Sequence, residues 1–135
     1  MRYLLDTNVV SEFRKGHRDP GVDTWFAQVN PEDLFLSALV IGEIANGISL
    51  LELRHDVQQA SLLERWLGEL KDAFSERVLP ISTAIAERWG RLSAGRPLPF
   101  VDGLLAATAL EHDLTLVTRD TAVADTGARL LNPWA

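Results

Sequence analysis

The chain has no cysteine in its 135 residues. That excludes a disulfide framework, a thiolate metal site and a cysteine nucleophile. Lysine is almost as scarce, with only Lys15 and Lys71 beside eleven arginines. Aromatic residues make up 7%. The longest apolar stretch, 34–53, is broken by Glu43, Asn46 and Glu52. A membrane span needs roughly 20 mostly apolar residues, so none is expected. The opening Met1-Arg2-Tyr3-Leu4-Leu5-Asp6 meets an acid too early for a secretory signal. There is no GxxxxGK or GxGxxG loop and no nucleophile elbow. His17, His55 and His112 are widely spaced and match no metal motif. With no repeat or linker, the expectation is one soluble, cytoplasmic domain over 1–135.

What is present is apolar, acidic and periodic. Hydrophobic residues are 47%, enough for a core without staples. There are 19 acids against 13 bases, a net charge of -6. That balance argues against a general nucleic-acid coat while leaving room for a local basic patch. Short apolar runs predict strands at 2–5, 34–37, 78–81 and 114–118, with a last short one at 129–131. Between them, apolar spacings of three and four predict helices. These cover 9–14, capped by Thr7 or Asn8, then 22–29, 38–53, 56–74, 83–94 and 100–112. Strands alternating with helices imply an α/β fold with a mainly parallel sheet. Ligands in such folds sit beyond the carboxyl ends of the strands.

Acids recur where polarity is expensive. Asp6 follows a wholly apolar strand, and Asp120 lies two residues after another. Asp102 opens a helix, where the dipole favours a carboxylate. Glu43 flanks the apolar stripe of its helix. Carboxylates converging on one cleft raise each other's pKa, and divalent cations relieve that repulsion. Carboxylate and water ligation suits Mg²⁺ or Mn²⁺, and such sites typically perform phosphoryl transfer. Each acid also has a plainer role, as a helix cap, a solvated flank or a turn residue.

The segments Leu4-Leu5-Asp6-Thr7-Asn8, 37–44, 100–109 and Leu116-Val117-Thr118-Arg119-Asp120 together resemble a PIN-domain ribonuclease. More narrowly, they resemble toxins of VapBC-type toxin–antitoxin pairs, including the FitB-like branch. The closing Leu130-Leu131-Asn132-Pro133-Trp134 is similar to the tail of that branch. The resemblance implies an α/β/α sandwich with a five-stranded sheet of order 3-2-1-4-5. It implies an Mg²⁺- or Mn²⁺-dependent endoribonuclease toxin, a homodimer and a cognate antitoxin partner. Exposed apolar surface on the helices at 38–53 and 56–74 would receive that antitoxin. Asp6, Glu43 and Asp102 match the metal-holding acids, with Asn8 and Thr118 polar positions beside them. Many relatives read Thr-Arg-Asn where this chain reads Thr118-Arg119-Asp120. The fourth acid is therefore Asp120 or Asp125. Arg14, Lys15, Arg96 and Arg119 flank the motif loops and are the candidate RNA-binding cations. With four of the 19 acids assigned to one site, 15 remain against 13 bases. The net charge then reflects a metal site more than an RNA-averse surface.

Two rivals remain. A receiver domain also clusters acids around Mg²⁺, but it needs a lysine after a late strand and an acidic pair after the first. This chain has neither. A catalytically dead binding module of the same fold is opposed by the retention of all four acids.

Overall fold

A computed structural model describes residues 1–134. The strands are β1 (Tyr3–Leu5), β2 (Leu34–Ser37), β3 (Val78–Leu79), β4 (Thr115–Val117) and β5 (Leu130–Leu131). They form one sheet of order β3-β2-β1-β4-β5 in which every neighbouring pair is parallel. The helices are α1 (Thr7–Phe13), α2 (Pro20–Gln28), α3 (Ala38–Leu53), α4 (Val57–Phe74), α5 (Thr83–Ser93) and α6 (Phe100–His112).

The two-residue period of a strand explains the layering. In β1, Leu5 faces a cluster built with Val9, Val10, Val40, Ile44 and Leu67. Its neighbour Leu4 faces the opposite cluster, with Leu105, Ala106, Ala109 and Leu116. In β4 the same alternation sends Val117 to the first cluster and Leu116 to the second. Both sheet faces are therefore covered, and the central strands read as continuous apolar runs. Helices α3 and α4 pack on the first side, and α6 on the second. Helix α5 joins α6 through Ile85, Leu104 and Ala107.

Two local details differ from the sequence reading. The cap of α1 is Asp6, whose side chain accepts from the Val9 N–H, and the helix already begins at Thr7. Thr7 and Asn8 are thus helical residues, and their side chains are free for other partners. The third strand stops at Leu79, because Pro80 has no N–H to extend the ladder. The tail after β5 folds back on α2. A Cβ on Gly21 would lie 2.5 Å from the Pro133 carbonyl oxygen, so only glycine admits this approach.

Candidate active site

The carboxyl ends of β1 and β4 lie side by side, as the pairing of Leu5 with Val117 requires. Each strand is followed at once by polar residues. Asp6 is 7% exposed. Its Oδ1 accepts the Val9 N–H at 2.9 Å, and its carboxylate also accepts the Thr118 hydroxyl. The same Thr118 oxygen accepts the Asp120 N–H at 3.0 Å. One buried hydroxyl thus ties the acid after β1 to the loop after β4. Asp120 in turn caps the short 3₁₀ turn Thr121–Val123, with Oδ1 accepting the Ala122 N–H at 2.9 Å.

Asp102 sits in the first turn of α6, and Glu43 on α3. The Glu43 carboxylate accepts a short hydrogen bond from the Thr7 hydroxyl. Asp6, Glu43, Asp102 and Asp120 line one cavity of ≈160 Å³ together with Thr7, Asn8, Val101 and Leu105. Wider grooves exist elsewhere, such as one of ≈860 Å³ between α3 and α4 that includes Ile48 and Arg65. The small cavity is where four acids meet, so chemistry rather than size marks it.

Electrostatics follow from that crowding. Burial pushes the Asp6 carboxyl up, partly opposed by its bonds to Thr118 and Val9; the Asp120 charge adds to the rise and Arg119 reduces it. The Asp102 carboxyl is pushed up to about 6. Desolvation is the largest cause, followed by its hydrogen bond and charge repulsion with Asp120, then the charges of Asp6 and Glu43. A cleft that pushes a carboxyl up this far by crowding acids together is short of positive charge.

A divalent cation would supply it. Among the described residues, no three acidic or histidine side chains are already gathered in a geometry that would hold an ion directly. The donors are all hard oxygens, the ligand type that cations such as Mg²⁺ and Mn²⁺ prefer.

The other candidates divide. Asn8 and Thr7 line the cleft. Asp125 is exposed and is not among the lining residues. Arg14 lines an adjoining groove of ≈200 Å³ with Thr7, Glu43 and Trp66, and its guanidinium lies 5.8 Å from the Trp66 ring centre. Lys15 is paired with Glu12 at 2.8 Å. Arg96 donates to the Asp125 carbonyl at 2.6 Å. Arg119 stacks on Trp134 at 4.4 Å. Sequence reasoning missed the grip of Thr7 on Glu43. The only signal was a hydroxyl residue directly after the first acid, which was read as a cap.

A parallel 3-2-1-4-5 sheet with acids gathered at its carboxyl edge defines a class. A PIN domain profile matches residues 3–128, and the chain belongs to that family. Among its relatives is Toxin FitB of Neisseria gonorrhoeae, 33% identical over 97% of both chains. VapC ribonuclease Y4jK of Sinorhizobium fredii is 32% identical over 97% of this chain and 96% of its own. The FitAcB crystal structure from Neisseria gonorrhoeae superposes with a TM-score of 0.87 at 31% identity, over 98% of each chain.

Proposed function

We propose that this protein is a divalent-metal-dependent endoribonuclease and the toxin of a type II toxin–antitoxin pair. The observation that carries the reading is the convergence of Asp6, Glu43, Asp102 and Asp120 on one small cavity. Kinship with a FitB toxin and a VapC ribonuclease supports it. The cation is Mg²⁺ or Mn²⁺. When bound, it lowers the pKa of a water and stabilises negative charge on a phosphodiester oxygen.

The chain's own residues do the rest. Asp6, fixed by Val9 and Thr118, is the rigid charged anchor for the cation. Asp102, whose carboxyl the crowded cleft pushes up to about 6, gives up its proton more readily when positive charge arrives. Glu43, steadied by Thr7, orients the attacking water or anchors a second cation. Asn8 is a neutral hydrogen-bonding group at the mouth of the cleft. Water attack at phosphorus leaves a 5′-phosphate and a 3′-hydroxyl. Arg14, Lys15, Arg96 and Arg119 are the cations assigned to the RNA backbone, since guanidinium forks match phosphate.

Partners follow from the same kinship. A cognate antitoxin would silence the acidic cleft with a basic segment, and exposed Leu50, Leu53, Val57 and Leu62 on α3 and α4 offer it apolar anchorage. The protein would act in the cytoplasm as a homodimer. No helix among the described residues is long and apolar enough to cross a membrane.

The decisive experiment incubates the purified protein with tRNA, rRNA and mRNA in Mg²⁺ or Mn²⁺. Asp6→Asn and Asp102→Asn should each abolish cleavage. Undiminished cutting by either variant would refute the site, and no cutting by the wild type would favour a binding module.

A further inference from the structure

The tail after β5 is built with more care than a loose end needs. The Trp134 N–H donates to Asn132 Oδ1 at 3.0 Å. Pro133 is buried, with its carbonyl against Gly21. The Trp134 indole packs on the main core cluster. On its face lies the guanidinium of Arg119, 4.4 Å from the ring centre. Arg119 itself stands between Thr118 and Asp120, the two residues that tie the acidic cleft together.

Its charge acts on Asp6 and Glu12 only as a minor, through-space influence. Among the described residues the Arg119 guanidinium enters no salt bridge. The nearby buried Glu12 is already engaged. Its carboxylate binds Lys15 Nζ at 2.8 Å and the Asp19 N–H at 2.8 Å. Those two bonds, more than Arg119, hold the Glu12 carboxyl below its ordinary range. By contrast, Arg96 has spent a donor on the Asp125 carbonyl, and Arg14 sits more loosely on Trp66 at 5.8 Å.

A guanidinium lying on an aromatic face keeps its N–H donors at the in-plane edge, where a phosphate can take two of them at once. Stacking also removes the side-chain freedom that binding would otherwise have to quench. We propose that Trp134 is a positioning residue that sets Arg119 as a preformed fork for a backbone phosphate of the RNA strand, next to the phosphate cleaved in the acidic cleft. This deepens the ribonuclease reading and rests on it.

The test measures anisotropy of a fluorescein-labelled single-stranded RNA in EDTA, with the salt concentration varied. Arg119→Ala and Trp134→Ala should each weaken binding about tenfold and reduce the salt slope by roughly one phosphate contact. Trp134→Phe keeps an aromatic face and should restore binding to within about threefold of the wild type. Trp134→Leu fills the space without a π face, so it should bind as weakly as Trp134→Ala while melting close to Trp134→Phe. In Mg²⁺ the weak variants should raise KM and leave kcat nearly unchanged. Wild-type binding by Trp134→Leu, an unchanged salt slope in Arg119→Ala, or no RNA binding by the wild type in EDTA would each overturn the proposal. If these fail in a wild type that cleaves RNA, the fork alone is wrong. A wild type that never cleaves RNA in Mg²⁺ or Mn²⁺ refutes the nuclease reading instead.

Discussion

Asp102→Asn should make the metal-free protein more stable even as it destroys activity. The Asp102 carboxyl rises from an ordinary 3.8 to about 6 because the cleft desolvates it and three other acids surround it. A raised folded-state value means that the native protein holds its proton while the unfolded chain has already lost it. Stability therefore falls as pH climbs from about 4 to about 6, and the penalty is complete above that. At about 1.4 kcal/mol per pKa unit, a fully sheltered group would cost ~3 kcal/mol. Asp102 is only half-buried, and solvent screening reduces this to ~1 kcal/mol. The neutral amide removes the penalty and can still donate to Asp120. Thermal melts in EDTA at pH 7.5 should thus show the variant about 3 °C above the wild type. At pH 4 the gap should close. Saturating Mg²⁺ should reverse the order, since a cation at a hundred times its Kd stabilises the wild type by about 2.7 kcal/mol. A variant less stable than the wild type in EDTA at pH 7.5, or a gain that persists at pH 4, would refute the reasoning.

Three further outcomes are expected. Thr7→Val should lower kcat for RNA about 10- to 100-fold at unchanged melting temperature, because Glu43 loses its orienting hydroxyl; equal rates would show that Glu43 needs no such support. Asp125→Asn should cleave like the wild type while Asp120→Asn loses most activity, since only Asp120 lines the cleft; the reverse pattern would move the fourth acid. Gly21→Ala should lower stability by ~1–2 kcal/mol in urea titrations, because the new methyl meets the Pro133 carbonyl at 2.5 Å and the tail must shift. A stabilised variant, as helix propensity alone predicts, would mean that the tail yields freely.

The sheet was legible because its faces are both buried. A run such as Tyr3-Leu4-Leu5 must be a central strand when each successive side chain meets a different helical layer. Asp6 and Asp102 were legible for the same reason, as acids set where an apolar element ends or begins. Glu43 needed the helical phase of α3. What escaped were pairings set by tertiary approach. Thr7 and Glu43 are 36 positions apart, and nothing local links them. The cap of α1 went to Asp6 rather than Thr7 or Asn8, because Asp6 Oδ1 reaches the Val9 N–H from the end of the strand. Spacing after the strand favoured Asp120 as the fourth acid but did not eliminate Asp125. They separate once Asp120 is seen to cap a turn that faces the cleft. The Arg119–Trp134 stack depends on a tail that must first find Gly21.

The sheet order also governs when the chemistry comes into being. The first strand made is the central one, and its neighbour β4 is contributed by residues 115–117. Asp6 therefore waits for more than 100 residues of synthesis before Thr118 and Asp120 arrive to complete its surroundings. A nascent chain stalled before that point already carries Asp6, Glu43 and Asp102, but β1 still has an unpaired edge and Thr118 and Asp120 are missing from the cleft. Such a chain has an incomplete cleft, and its open edge invites foreign strands. The interval between birth and competence is a window in which a waiting partner or a protease meets the chain before it can cut.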